Sequence, residues 1–354
     1  MERIENSRQR TNSRFYLGIF LLLIGLLVAF LISLAFGSVS IPIEEIFQLI
    51  SGGEPKRKSW EMIVIEYRLP KALCAFAAGA ALSISGLLMQ TYFQNPLAGP
   101  FVLGISSGAS LGVAIAIMLL DPLGLTTQLG RSLSSLSAAC LGAFIVMAVI
   151  LVLSRRMKSP TVLLLVGLMF GYASGGLVNL IVYLSEARQI QSFLIWSFGS
   201  FSRVSWELML WFLAPIGICL GCAALQSKPL NALQLGEGYA QSLGISIPRI
   251  RLIILFLSSL LAGVVTAFCG PIAFIGIAVP HLTRGLFRSS DHRVLIPASI
   301  LMGGILCLLA DLGSQLPGME ETLPLNSITS LLGAPVVIWI LTKSKKRGSM
   351  EDPS

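Results

Sequence analysis

Apolar residues gather along this chain into long blocks separated by short polar stretches. The blocks lie near 15–36, 68–90, 101–120, 134–153, 161–184, 206–225, 250–269, 272–287, 294–312 and 327–342. Each approaches the about twenty residues that a helix needs to cross a bilayer core. The pattern predicts an all-α integral membrane protein with about ten transmembrane helices, the eighth short and broken by Pro280. The first block follows a basic stretch and is too long for the core of a signal peptide, so it reads as a retained helix. The expected organisation is a tail at 1–14, a polytopic body at 15–343 and a second tail at 344–354.

Composition agrees. Of the residues 55% are hydrophobic and 12% charged, against roughly 25% charged in soluble domains. Too few charges remain to build a polar surface, so a surface facing lipid is implied. The net charge of +8 concerns topology rather than nucleic acid, because the basic residues sit between the apolar blocks. With the N-terminus taken as cytoplasmic, 17 of the 25 Lys and Arg fall in inside segments. Basic residues resist translocation, so both termini are expected inside. The outside segment 37–67 departs from the bias with Lys56, Arg57 and Lys58, joined by Arg68 and Lys71 at the start of the second block, but five glutamates nearly balance them. It reads either as a solvated loop or as a docking surface for an acidic partner.

Candidate chemistry is sparse. Cys219 and Cys222 have C-x-x-C spacing inside an apolar run, without a second pair or a nearby histidine, and read as small hydrophobes rather than metal ligands. His281 and His292 are the two histidines and are not spaced as ligands. An ion-coupled transporter needs carboxylates or histidines near the midplane; Asp311 and Glu207 lie near span ends. Neither H-E-x-x-H nor G-x-x-x-x-G-K-[ST] occurs, so neither a metalloprotease nor a phosphate loop is encoded. No catalytic or metal residues are assigned. Active transport would therefore draw its energy from another subunit or from a gradient. Gly104, Gly108 and Gly112, like Gly167, Gly171 and Gly175, repeat every four residues and mark close helix packing. The inside segment 226–249 alternates apolar positions with Gly236, Gly238 and Gly244, which fits two short helices broken at glycine. It is either a connecting loop or a plug for a partner's groove.

Several motifs then occur together. Arg68-Leu69-Pro70-Lys71, Gly79 to Gln90 (GAALSISGLLMQ) and Asn95 to Ser110 (NPLAGPFVLGISSGAS) are followed by Leu235 to Ile245, Gly270 to Arg284 (GPIAFIGIAVPHLTR), Asp291 to Ser299, Leu308 to Asp311 and Leu332 to Leu341. In this order they resemble the permeases of type II ABC importers for iron-siderophores, haem and cobalamin, over about residues 60 to 343. A weak internal echo, Gly99-Pro100 then Gly104-Ile105 against Gly270-Pro271 then Gly276-Ile277, fits that family's inverted repeat.

The resemblance implies a homodimer in a bacterial inner membrane, two separate ATPase subunits that hold ATP-Mg, an outer substrate-binding protein, and no cofactor on this chain. It implies that Gly236, Glu237, Ala240 and Gly244 meet the ATPase. Arg68 and Lys71 would meet acids on the binding protein, with Lys71 where Arg is common and fork-like pairing therefore lost. Asn95, Pro96 and Leu97 would form one inner-gate turn and Ser159, Pro160 and Thr161 the other, although Pro160 stands where a small polar residue is usual. Gln315, where some members carry Arg, and Thr322, where Glu is usual just after Glu320 and Glu321, depart from the family at the outer face. The competing expectation is a secondary, ion-coupled transporter of a small solute.

Overall fold

The computed structural model describes residues 2–37, 39–53, 55–120, 131–157, 159–315 and 322–348, with side chains not described at 2–14, 50, 131–133 and 339–348. Among these residues every regular element is helical. The helices are α1 (Glu2–Ala35), α2 (Ile43–Ile50), α3 (Lys58–Met62), α4 (Leu69–Phe93), α5 (Ile105–Ala114), α6 (Arg131–Arg156), α7 (Pro160–Tyr183) and α8 (Ala187–Ser197). They continue as α9 (Trp206–Leu225), α10 (Ser227–Gln234), α11 (Glu237–Ser242), α12 (Ile247–Cys269), α13 (Ile275–Phe287), α14 (His292–Ser314) and α15 (Leu325–Gly348).

Each expected span overlaps a helix, the third in pieces with a break at Gly104, and among the described residues seven helical stretches are long and apolar enough to cross a membrane. Three boundaries differ from expectation. Helix α1 starts at Glu2 rather than near Phe15, because nothing between the basic tail and the apolar block breaks the helix. The second span runs as one helical stretch over Lys58–Phe93; a π-turn at Ile63–Arg68 joins α3 to α4 and shortens the outside loop. Pro280 does not break the eighth span. Helix α13 passes through it, and the irregular backbone lies at 270–274 instead.

Helix α4 is the axis of the fold. Twenty of its residues are buried, half of them Ala, Gly and Ser. Small side chains let neighbours approach to backbone contact. A Cβ at Gly79 would collide with the Gly303 carbonyl of α14, and one at Gly86 with the Gly276 carbonyl of α13. Pro280 has no N–H to offer that Gly276 carbonyl, which leaves it facing α4. The two echoed motifs meet here: a Cβ on Gly276 would lie 2.8 Å from Pro100 Cδ, and one on Gly99 2.9 Å from Ile277 Cγ1. Ser85 Oγ and Ser258 Oγ share a hydrogen bond of 2.6 Å between α4 and α12. The predicted glycine stripes behave differently from each other. Gly104, Gly108 and Gly112 pack against backbone of α6 and α7, whereas the second stripe opens from Gly167, against Val102 and Leu103, to Gly175, which has nothing within 4 Å.

The segments expected outside meet one another. Ser200 N–H donates to the Cys269 carbonyl at 2.7 Å, and Asn326 N–H to the Phe198 carbonyl at 2.9 Å. The segments expected inside likewise meet: Gln94 Nε2 donates to the Leu233 carbonyl at 3.2 Å, and Arg251 Nη1 to the Met157 carbonyl at 2.9 Å. These contacts gather the loops concerned at two ends, named outer and inner after the charge bias.

Candidate functional site at the two ends of the bundle

At the outer end, Arg68 closes the π-turn before α4. Its Nη1 donates to the carbonyls of Leu34 at 2.7 Å and Ala35 at 3.0 Å, and its Nη2 donates to that of Val39. The Leu34 and Ala35 carbonyls belong to the last turn of α1, which leaves them without helical partners and favours a cation, and Val39 lies just beyond it. Lys71 Nζ pairs with Asp311 Oδ1 at 2.9 Å, and Asp311 Oδ2 accepts from Gln315 Nε2 at 2.8 Å. Arg68 and Lys71, expected to meet acids of a binding protein, thus already have partners within the chain. Arg68 is buried, Lys71 is 15% exposed, and both are engaged within the chain. The physical reason is that the ends of α1 and α14 crowd this point with carbonyls and a carboxylate. A cavity of about 360 Å³ opens beside them, lined among others by Glu66, Tyr67, Ser202 and Gln315. Gln315, which departs from the family pattern, serves here as a partner of Asp311. Thr322 is exposed, and Glu320 and Glu321 lie outside the described residues.

The segment 37–67 is more ordered than a solvated loop. Helix α2 buries Ile46 and Glu45 while exposing Ile43 and Phe47. Glu45 Oε1 pairs with Lys56 Nζ at 2.9 Å, and Oε2 accepts from the Lys56 N–H at 3.1 Å. These bonds from Lys56 hold the Glu45 carboxyl below its usual range.

At the inner end, the segment 226–249 folds as the two short helices α10 and α11, separated at Gly236. Gly236 has φ +113° and Gly244 φ +80°, values that L side chains rarely adopt. Both glycines face open space. Glu237 begins α11 and is 41% exposed, with Oε1 3.7 Å from Arg251 Nη2. Ala240, expected to meet the ATPase, is fully buried within the chain, and Leu235, Tyr239 and Leu243 form the exposed apolar side. A helix of 6 residues has one inner face, and Ala240 occupies it.

The two gate turns lie beside this segment. Asn95 Oδ1 accepts from the Leu97 N–H at 2.9 Å, a side-chain turn that reverses the chain after α4. The Pro96 carbonyl is 2.8 Å from His281 Nε2, and Leu97 is 38% exposed. Ser159 caps α7 by accepting from the Val162 N–H at 3.5 Å; Pro160 is the first helical residue, where its missing N–H is harmless, and Thr161 is exposed.

Arg251 connects these parts. It reaches Glu237 on α11, the Met157 carbonyl just before the second turn, and the Tyr92 ring, 5.8 Å away and just before the first. Sequence reasoning counted Arg251 only as a basic residue of the inner loop. Asp291 was noted only within its motif. It caps α14 by accepting from the Arg293 N–H at 2.9 Å and from Asn231 Nδ2 at 2.6 Å. Burial opposes its charge, but the Asn231 and Arg293 bonds prevail and hold its carboxyl below the usual range. Cys219 is buried and Cys222 exposed, and among the described residues no group of side chains could hold a metal ion.

The family model described as the FecCD transport family matches residues 25–343. The chain belongs to the FecCD transport family. Its motifs therefore identify the permease family they resemble, and the protein is a multi-pass component of the bacterial cell membrane. The vitamin B12 import system permease protein BtuC of Klebsiella pneumoniae is 37% identical over 341 residues, covering 96% of this chain and 97% of the relative. The BtuC of Salmonella paratyphi A is 37% identical over 342 residues, covering 96% and 98%. A solved inward-facing structure of an ABC transporter assigned to the metal-chelate type superposes with a TM-score of 0.79 at 28% identity, covering 92% of this chain and 98% of that one.

Proposed function

We propose that this FecCD-family chain is the permease subunit of an ATP-driven importer for a bulky metal chelate, which works as a homodimer. Two ATPase subunits, which hold ATP-Mg, dock on its inner end, and a binding protein delivers the chelate to its outer end. The observation that carries this reading is the inner segment. Helices α10 and α11 present exposed apolar residues and two open glycines, and Arg251 ties that segment to both gate turns. Such a surface suits a partner's groove, and its ties give a partner's motion a route to the gates. The chain encodes no phosphate loop, so the ATP chemistry is assigned to the partner.

The carriers of vitamin B12 among its relatives favour a corrinoid, with haem and ferric siderophores as the other candidates. The outer docking surface is placed on Glu66, Tyr67 and the cavity that Arg68 and Lys71 line with them. The rival ion-coupled reading gains little from Asp311, because this buried carboxylate already holds Lys71.

The test is uptake into proteoliposomes that contain this chain, its ATPase and its binding protein. Vitamin B12, haem and a ferric siderophore are offered in turn. ATP-dependent accumulation of one chelate supports the reading and names the cargo. Accumulation of a small solute driven by an ion gradient, with no ATPase present, would replace it with secondary transport.

A further inference from the structure

A second set of inner-end contacts runs from α10 into the bundle. Asn231 Nδ2 donates to Asp291 Oδ1 at 2.6 Å, which fixes the direction of the amide. Its Oδ1 accepts from the His292 backbone N–H at 2.8 Å and lies 2.7 Å from His292 Nδ1. An amide oxygen only accepts, so Nδ1 carries a proton. Across the ring, His292 Nε2 is 2.8 Å from Thr91 Oγ1, in the last turn of α4.

Thr91 has one hydroxyl proton and two acceptors within reach. One is Nε2 of a neutral His292; the other is the Leu87 carbonyl, one turn back in its own helix, at 2.8 Å. The proton serves one of them at a time. Directed at His292, it joins α10, α14 and α4 in an unbroken chain of hydrogen bonds. Directed at Leu87, it cuts that chain between α14 and α4. His292 is fully buried and Thr91 is 5% exposed, so a bond lost here is costly to leave unmade. The single hydroxyl proton thus has two alternative bonds, and a shift of α10 that draws His292 away from Thr91 favours the one to Leu87.

We propose that Asn231, His292 and Thr91 form the linkage through which a shift of α10 reaches the inner-gate turn at Asn95–Leu97. The turn follows Thr91 within a few residues. Gln94, between them, holds the Leu233 carbonyl of α10, and His281 of α13 holds Pro96 from the other side. The gate turn is thus suspended between α10 and α13. The three linkage residues are positioning residues that touch neither chelate nor ATP. The inference rests on the importer reading and adds a path inside this chain.

The experiment uses proteoliposomes with the permease, its ATPase and its binding protein loaded with whichever of vitamin B12, haem or ferric siderophore the wild type carries. Thr91→Val keeps the shape and removes the hydroxyl, Thr91→Ser keeps the hydroxyl, and Asn231→Leu removes the link at its other end. ATP hydrolysis and chelate uptake are measured on the same vesicles. Thr91→Val and Asn231→Leu should hydrolyse ATP within about twofold of wild type while importing about tenfold less chelate per ATP, a loss typical of broken coupling between sites. Thr91→Ser should import at close to the wild-type rate. Unchanged uptake per ATP in both disrupted variants would overturn the linkage, as would uptake and hydrolysis falling together in step with the recovered protein. A wild type that imports no chelate with ATP would instead overturn the importer reading, and the linkage with it.

Discussion

Helices α4 and α7 have 25 and 24 residues, and both are apolar enough to cross a bilayer. Yet 89% of the apolar window containing α4 is buried, against 22% of that in α7. Hydropathy does not separate core from periphery in a membrane, because lipid is as apolar as a protein interior. Residue size does. Helix α4 is lined with Ala, Gly and Ser and lies at backbone distance from α13 and α14, whereas α7 carries Leu165, Met169, Tyr172 and Leu180 outward. Within the chain, α7 is an edge, and its outer face is left for lipid or, in the proposed homodimer, for the second copy of the chain.

The sharpest way to break the comparison is a methyl group on each helix. Gly86→Ala places a Cβ against the α13 backbone, where no rotamer change gives relief, and should cost about 3 kcal/mol. Gly175→Ala meets nothing within 4 Å and should change the stability of the isolated chain by no more than about 0.5 kcal/mol. Recovery of folded protein and its melting temperature in detergent measure both. Equal effects would show that the packing difference between α4 and α7 is wrong.

The second effect lies at the outer end of α4. Lys71→Met leaves Asp311 buried without its cation and should cost about 3 kcal/mol, whereas Lys71→Met with Asp311→Leu should recover most of that loss. A double variant no better than the single one would show that the pair is not the point of contact. Arg68→Lys keeps the charge but loses the fork that spans three carbonyls of α1 and the turn after it, with an expected cost of about 1.5 kcal/mol.

The smallest effect concerns α2. The Glu45 carboxyl is held below its ordinary 4.5, so its contribution is complete above pH 4.5 and is lost as pH falls through the lowered value. Glu45→Gln should remove this acid dependence together with the small stabilisation that the pair with Lys56 provides at pH 7. Acid titration of melting for the two proteins is the check.

Much of this arrangement was legible in the residues. Blocks of about twenty apolar positions located the spans, the Lys and Arg bias sorted the loops into two ends, and Gly236 and Gly244 marked a pair of short inner helices. The remainder depended on contacts between distant segments. Nothing near Arg68 in the chain shows that the end of α1 returns to it, and nothing near Lys71 announces Asp311 on α14. Arg251 and Asn231 look like ordinary polar residues of an inner loop until the gate turns and His292 are seen beside them. The burial of Ala240 under α11 likewise depends on how that short helix packs, which its neighbours in the chain do not show.

The most direct test of the account uses Glu237, which begins α11 and faces Arg251. ATP-driven chelate uptake is measured for wild type and Glu237→Arg in the assembled importer. The account predicts uptake in the wild type and its loss in the variant, because reversal of that charge sets two cations against each other at the point where α11 meets the gates. Uptake that persists undiminished in Glu237→Arg would contradict it.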